Sequence, residues 1–181
     1  MELARRLTTG RLTVLDIYNP GLIRSAAIVR QRQADVPPPA DPRLAWRECS
    51  IDLLPLLDGS TRVVSMSECL SAIEQEGDRR QLLSELFRIV RPGGRLIVVE
   101  RLRTQANLLT GGPAALRLQP LDYWRALLES TGFELRRVES GTGELIHYLR
   151  ADRPVPFQGR QLPLGLKTDV IVTKTQPKRP R

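Results

Sequence analysis

Apolar residues in the middle of the chain first follow a helical period and then run without interruption. From Asp78 to Val90, leucine, phenylalanine, isoleucine and valine recur at helical spacing, which predicts an amphipathic helix. The run from Leu96 to Val99 is wholly apolar, as is typical of a strand buried on both faces of a parallel sheet. A Pro-Gly-Gly turn at 92–94 separates the two, because proline cannot continue a helix and glycine takes positive φ without steric cost.

The same reasoning predicts elements along the rest of the chain. Asp78 and Gln81 are spaced as a capping box at the start of the central helix. Helices alternate with strands, which indicates an α/β fold with a doubly wound, mostly parallel sheet and an antiparallel terminal strand pair. The further helices are predicted at 2–9, 21–32 and 121–130, and the further strands at 12–17, 44–49, 62–67, 133–138 and 145–149.

The length of 181 residues predicts one domain. We place it at 1–153 and assign 154–181 to a Pro-rich, basic C-terminal tail, which contains one strand-like piece at Asp169–Val172. His147, the only histidine of the chain, is predicted to be a strand residue near an edge of the sheet.

The overall charge is strongly basic, at +8 with a pI of about 10.4. Arginines are nevertheless scattered along the chain and aromatic residues make up only 4%, which argues against a nucleic-acid-binding surface. No apolar run approaches the roughly 20 residues of a membrane span. Cys49 and Cys69 do not form a disulfide framework or a metal site, so we expect both to be reduced and the protein to be cytoplasmic.

The segment Glu85 to Glu100, with its helix, Pro-Gly-Gly turn, buried strand and final acid, resembles the signature of the class I S-adenosylmethionine-dependent methyltransferases. Other pieces follow in the order of that family. They are Val14–Ile17 with the following Asn-Pro-Gly, the Leu-Pro-x-x-Asp-Gly-Ser loop at 54–60, and Gly-Phe-Glu at 132–134 before Gly-Thr-Gly at 141–143. Gly132–Glu134, Gly141–Gly143 and His147 together resemble the end of the methyltransferase type 11 or quinone C-methyltransferase branch.

The resemblance implies a set of cofactor-binding residues and S-adenosylmethionine as the cofactor. Asp16, followed by Ile17, would accept hydrogen bonds from both ribose hydroxyls. Ser50 and Ile51 stand where the family has Asp-Ala, whose acid holds the adenine amino group. Ser67 lies at the carboxyl end of the strand at 62–67, where Met66 to Cys69 would line the methyl-transfer cleft. No catalytic residue and no metal ligand is indicated.

One part of the family pattern is absent from the sequence. No Gly-x-Gly-x-Gly turn precedes Asp16, and no room remains there for strand 1 of the family. We therefore expect an N-terminally incomplete fold. Three explanations stay open: the sequence starts too late, another chain supplies the strand, or family strands 2 and 4 pair directly in a rearranged sheet.

Two main functions follow from these patterns. The first is methyl transfer from S-adenosylmethionine to a small-molecule acceptor, which needs positioning more than acid–base residues because the leaving group is neutral. The alternative is a catalytically inactive, truncated methyltransferase-fold subunit or interaction module whose protein partner completes the sheet. A third hypothesis is a nicotinamide-binding Rossmann protein, in which Asp16 would bind the adenosine ribose. It does not explain the Pro-Gly-Gly turn.

Overall fold

A computed structural model describes residues 10–23, 28–30, 32 and 41–156. The predicted helix at 2–9, most of the loop at 35–42, the strand-like piece at 169–172 and the tail from 157 onward lie outside these ranges. Of the predicted helix at 21–32, residues 28–30 and 32 are helical, whereas 21–23 are not, so the predicted start at Gly21 is wrong. None of the helices in the described ranges is long and apolar enough to cross a membrane.

The described elements alternate as the sequence pattern predicts, and the α/β fold class is confirmed. The helix predicted at 121–130 has those bounds in the structure. The strands are β1 (Leu12–Asp16), β2 (Leu44–Glu48), β3 (Thr61–Ser67), β4 (Val90–Glu100), β5 (Glu134–Ser140) and β6 (His147–Asp152), and the helices are α1 (Glu76–Ile89), α2 (Gln105–Gly111), a 3-10 helix (Gly112–Arg117) and α3 (Leu121–Ser130).

The strands form two sheets. Strand β1 pairs in parallel with β2, and a second sheet has the order β3-β4-β6-β5. Strands β3 and β4 are parallel, whereas β6 runs antiparallel to both β4 and β5. Within the described ranges, β1 and β3 are not hydrogen-bonded to each other, so direct pairing of family strands 2 and 4 is not observed. His147 begins β6, which lies next to the edge strand β5, so the prediction of a strand residue near an edge is confirmed.

Helix α1 begins earlier than predicted. It starts at Glu76, and its N-cap residue Gln75 makes no side-chain capping bond, so the proposed capping box of Asp78 and Gln81 is wrong. Asp78 instead lies within the first turn, where a carboxylate interacts favourably with the helix dipole. The buried face of α1 carries Leu82, Leu83, Leu86 and Ile89, as its apolar period predicted.

The Pro-Gly-Gly segment lies inside β4 instead of forming a separate turn. Between the pairs Thr61–Val90 and Val63–Arg95, β3 advances two residues and β4 advances five, so 91–94 bulges out of the ladder. Gly93 has φ of 74°, and a Cβ on Gly94 would lie 2.8 Å from the Arg91 carbonyl oxygen and 2.9 Å from that of Arg62. The two glycines are therefore required for different reasons, one for its backbone conformation and one for close main-chain approach.

Three arginines fasten α1 to its surroundings. Arg79 donates to the carbonyls of Leu70 (3.0 Å) and Ile73 (2.8 Å) before the helix. Arg88 donates to the carbonyls of Leu54 (3.0 Å) and Leu56 (2.9 Å) and pairs with Glu85 and Asp58. Arg153 donates to the carbonyls of Phe87, Arg88 and Val90 at the end of the helix, at 2.6 to 3.1 Å. The bonds of Arg153 satisfy carbonyl groups that the end of the helix leaves free, and those of Arg79 and Arg88 tie the helix to neighbouring loops.

We predict that Gly94→Ala destabilises the protein. The added methyl group would overlap the main-chain oxygens of Arg62 in β3 and of Arg91 in the bulge of β4, and overpacking of this kind costs about 1–3 kcal/mol. Urea denaturation followed by circular dichroism measures the change. Gly77→Ala in α1 is the control, because nothing lies within 4 Å of its added Cβ, and it should be neutral or stabilising by up to about 1 kcal/mol. Equal effects of the two substitutions would contradict the prediction.

Candidate functional site

A cavity of about 460 Å³ opens at the carboxyl ends of β1 and β2. This is the edge at which open α/β sheets bind ligands. The residues that line it come from the segments after the two strands and from the first turn of α1: Ile17, Tyr18, Asn19, Gly21, Leu22, Glu48, Cys49, Ser50, Ile51, Asp52 and Asp78.

The segment after β1 is shaped by local hydrogen bonds of Asn19. Its side-chain oxygen accepts from the Gly21 amide at 2.8 Å, and its carbonyl accepts from the amides of Leu22 and Ile23 at 2.9 Å each. An asparagine that bonds the backbone two residues on forms a turn without needing a partner elsewhere. Leu22 and Ile23 are buried, so the turn is anchored in the core and its other face forms a wall of the cavity.

The segment after β2 is held in a similar way. The hydroxyl of Ser50 donates to the Asp52 carboxylate at 2.8 Å and accepts from the Asp52 amide at 3.2 Å. Ile51 and Leu54 are buried on either side, and the Leu54 amide donates to Glu85 of α1 at 2.9 Å. Ser50 and Asp52 therefore present one linked polar group to the cavity.

Asp16 ends β1 immediately before the cavity wall, and its side chain is 9% exposed. Its Oδ1 accepts from the Tyr18 amide at 3.1 Å, and Arg32 donates to both oxygens, at 2.9 and 2.8 Å. Burial alone would raise the pKa of Asp16, but the hydrogen bonds from Arg32 and from the Tyr18 amide outweigh it, so the pKa lies below its ordinary value. Asp16 is therefore ionised at neutral pH.

Arg32 covers the carboxylate that the sequence predicts as the ribose ligand. Its guanidinium lies 4.3 Å from the centre of the Tyr18 ring while it makes the bidentate bond to Asp16. A carboxylate has about four lone-pair positions, and here Arg32 and Tyr18 use three of them. A diol that approaches Asp16 must therefore displace at least one of these donors.

The cavity is acidic although the chain is basic. Glu48, Asp52 and Asp78 line it, and no lysine or arginine is among the lining residues that the structure describes. The chain as a whole carries +8. Such a local reversal of sign attracts a cation and repels a phosphate. The chemistry of the cavity therefore fits a positively charged ligand with hydroxyl or amino donors better than a dinucleotide.

The structure brings most of the sequence-predicted cofactor residues together. Ile17, Ser50 and Ile51 line the cavity, and Asp16 lies directly before Ile17. Ser67 ends β3 and is not one of the lining residues.

Sequence reasoning missed several residues of the site. Tyr18, Glu48 and Asp78 line the cavity, and Arg32 covers Asp16. Glu48 and Tyr18 could have been found, because they stand at or just after strand ends where ligands bind. Asp78 was interpreted only as a helix cap. The pairing of Arg32 with Asp16 joins residues 16 positions apart and has no local sequence signal.

Comparison with known proteins supports the resemblance. A family model described as a methyltransferase domain matches residues 1–98 of this 181-residue chain. Among curated proteins, no sequence matches.

Solved structures share the fold at low identity. A SAM-dependent methyltransferase from Aquifex aeolicus has a TM-score of 0.58 at 15% identity, over 81% of this chain and 70% of that one. The (4+2)-cyclase SpnF has a TM-score of 0.60 at 17% identity, over 85% of this chain and 69% of that one. The complex of the Haloferax volcanii Trm112 methyltransferase activator with a methyltransferase gives a TM-score of 0.60 at 16% identity, over 84% of this chain and 75% of that one. At these identities the similarity shows the fold alone.

We predict that Arg32→Gln raises the pKa of Asp16 towards its ordinary value of 3.8. A carboxylate whose folded pKa is lowered stabilises the protein above its unfolded pKa, and this stabilisation is lost as the pH falls through the folded value. The variant should therefore be less stable by up to about 1 kcal/mol at pH 7, and the difference should vanish in acid. Carboxyl ¹³C resonances and urea denaturation at several pH values measure both effects.

The control for this prediction is Arg80→Gln. Arg80 forms an exposed ion pair with Glu76 on α1 and does not contact Asp16 in the structure. It should leave the pKa of Asp16 unchanged. An Asp16 pKa that is the same in native protein and in Arg32→Gln would contradict the assignment of Arg32.

Proposed function

Because the chain belongs to the methyltransferase-domain family of class I S-adenosylmethionine-dependent enzymes, we propose that it binds S-adenosylmethionine in the cavity beside Asp16 and transfers the methyl group to a small-molecule acceptor. The observation that carries the proposal is the acidic cavity at the ends of β1 and β2, with an ionised carboxylate at the end of β1. Its carboxylate acceptors suit the donors of the cofactor, which has a ribose diol, an adenine amino group and positively charged sulfonium and ammonium groups.

Each part of the cofactor has a candidate partner. Asp16 would accept hydrogen bonds from the ribose hydroxyls once Arg32 releases one of its hydrogen bonds to the carboxylate. The linked Ser50 and Asp52 would accept from the adenine amino group. Ile17 and Ile51 offer apolar surface for the adenine ring.

The cofactor supplies an electrophilic methyl group bonded to a cationic sulfur. The chain's own contribution is positioning: Glu48, Asp52 and Asp78 favour its positive charges in the cavity, and Leu22 and Ile23 hold the wall in place. The acceptor would approach from the carboxyl end of β3, where Ser67 lies, because the parallel strands β3 and β4 end at the same edge of their sheet.

A second candidate function, assembly with a protein partner, is supported by β3. One side of β3 pairs with β4, and its other side has no strand partner among the described residues, while Val63 on β3 is 46% exposed. An unpaired strand edge is a template for another strand. The similar Haloferax volcanii structure is a complex with an activator protein. Light scattering after gel filtration distinguishes a lone chain from an assembly, and cofactor binding is measured on whichever species is isolated.

We predict that S-adenosylmethionine binds and that Asp16→Asn weakens binding at least ten-fold. The amide keeps the shape but cannot accept two charged hydrogen bonds from the diol, and such bonds contribute about 1.5–3 kcal/mol each. Isothermal titration calorimetry gives the dissociation constants. NAD, with its anionic pyrophosphate, should give no heat, because the cavity is acidic.

The matched control is Asp152→Asn. Asp152 on β6 also makes a bidentate pair with an arginine, Arg150, at 3.0 and 2.9 Å, but it lies outside the cavity. It should leave the affinity unchanged. Absence of binding to native protein, or tighter binding of NAD than of S-adenosylmethionine, would reject the proposed function.

A further inference from the structure

Arg32 and Asp16 form a contact that a ribose ligand would have to break. The guanidinium donates to both carboxylate oxygens of Asp16, at 2.9 and 2.8 Å, and lies 4.3 Å from the centre of the Tyr18 ring. Tyr18 lines the cavity, so the arginine stands at the border of the site. It thereby holds the two oxygens that both hydroxyls of a diol would need.

The two partners differ in their freedom to move. The Asp16 side chain is 9% exposed, ends β1, and also accepts from the Tyr18 amide at 3.1 Å. The Arg32 side chain is 38% exposed, and among the described residues its guanidinium donates to Asp16 alone. The long arginine side chain can therefore swing away while the carboxylate stays in place.

Glu48 offers a second carboxylate beside Asp16. The parallel ladder of β1 and β2 pairs Asp16 with Glu48, so both side chains lie on one face of the sheet, on backbones about 4.8 Å apart. Glu48 is exposed, lines the cavity and accepts no hydrogen bond among the described residues. The guanidinium therefore needs to move only from one strand to the next to find a new partner.

The charge of Glu48 already acts on Arg32. The hydrogen bonds to Asp16 raise the pKa of the guanidinium, burial opposes them, and the charges of Asp16 and Glu48 add to the rise. Arg32 thus lies within the electrostatic reach of both carboxylates while it is bonded to one of them.

We propose that Arg32 is an internal competitor of the cofactor's ribose, which pairs with Asp16 in the arrangement described above and moves to Glu48 when a ribose diol binds. The inference rests on the proposed function, because it concerns how occupancy of the same cavity is regulated. The hydrogen bonds balance: the two hydroxyls of the diol replace the two guanidinium donors on Asp16, and Glu48 accepts from the displaced guanidinium.

This competition sets the apparent affinity of the site. A ligand that needs both oxygens of Asp16 binds only the fraction of molecules in which Arg32 has moved, so its apparent dissociation constant rises as that fraction falls. A partly exposed ion pair shifts such an equilibrium by about five-fold. The effect is large enough to measure and small enough for a ligand to overcome.

The alternative role for Arg32 is that of a direct cofactor ligand. S-adenosylmethionine carries a carboxylate, which is a good acceptor for a guanidinium group. Adenosine has the same ribose and adenine but no carboxylate and no charge, so it isolates the competition at Asp16. If Arg32 competes with the ribose, its removal strengthens adenosine binding. If Arg32 binds only the cofactor's carboxylate, its removal leaves adenosine binding unchanged and weakens S-adenosylmethionine binding.

The first experiment measures adenosine binding at pH 7.5 by NMR titration of amide resonances, with S-adenosylmethionine titrated in parallel by calorimetry. Asp16 is ionised in every Arg32 variant at this pH, because its ordinary pKa is 3.8. Arg32→Gln should bind adenosine about five-fold more tightly than native protein does. Arg47→Gln is the matched control: Arg47 on β2 donates to the Pro55 carbonyl at 3.4 Å and does not contact Asp16 in the structure, so adenosine affinity should not change.

The second experiment tests the move to Glu48 by a double-mutant cycle with adenosine. Glu48→Gln should weaken adenosine binding about two- to three-fold, because the displaced arginine loses its carboxylate partner. The same substitution made in Arg32→Gln should have no effect. Because adenosine is neutral, the attraction of Glu48 for a cationic ligand does not enter the comparison.

Thermal unfolding confirms that each variant is folded. If Arg32→Gln is not, Arg32→Lys replaces it; lysine keeps the charge but lacks the bidentate fork, so it should strengthen adenosine binding by a smaller factor.

The outcomes separate this inference from the proposed function. If S-adenosylmethionine binds native protein and Arg32→Gln leaves adenosine binding unchanged or weaker, the inference is overturned and the proposed function stands. If neither native protein nor Arg32→Gln binds S-adenosylmethionine or adenosine, both are overturned. Tighter adenosine binding to Arg32→Gln supports the competition, and an equal effect of Glu48→Gln in both backgrounds overturns the move to Glu48.

Discussion

Arginine side chains bond main-chain carbonyl groups in the turn before helix α1, in the loop beside it and at its end, and the remaining architecture depends on this. Arg79 ties the start of the helix to the turn after β3, Arg88 ties its last turns to the loop before β3, and Arg153 ties its end to the chain after β6. A guanidinium group is always charged and has five donors, so one side chain satisfies several carbonyls at once. The helix can therefore end at Ile89 and pass directly into β4 without leaving its last carbonyls unpaired.

This junction also determines where the two polar sites lie. Because α1 is fixed, Glu85 can hold the Leu54 amide and Asp78 can reach the cavity next to β1 and β2. At the other end of β4, Glu100 is buried between the turn at 70–71 and β6. Helix α1 and β4 thus join the cavity beside β1 and β2 to the buried carboxyl group of Glu100.

The two sites differ in how their polar groups are satisfied. Asp16 already accepts three hydrogen bonds from Arg32 and the Tyr18 amide, so a diol that needs two positions must compete with them. Glu100, Asn107 and His147 are buried, and each keeps a side-chain atom without a hydrogen-bond partner among the described residues. The arrangement around Asp16 lowers affinity for a diol, because binding must displace a donor.

The sequence by itself determined the class of the fold, the bounds of α3 and the position of most strands, because apolar periodicity and glycine are local properties of the chain. The resemblance to the methyltransferase family led to the prediction of Asp16, Ile17, Ser50 and Ile51 as cofactor residues, and they lie at or beside the cavity because residues after parallel strands meet at one edge. Only the tertiary structure decided that Arg32 covers Asp16, that the Pro-Gly-Gly segment bulges within β4, and that His147 stands opposite Glu100 inside the sheet. Each of these features joins residues that are distant in sequence or depends on strand register. A local sequence pattern encodes neither long-range contacts nor register.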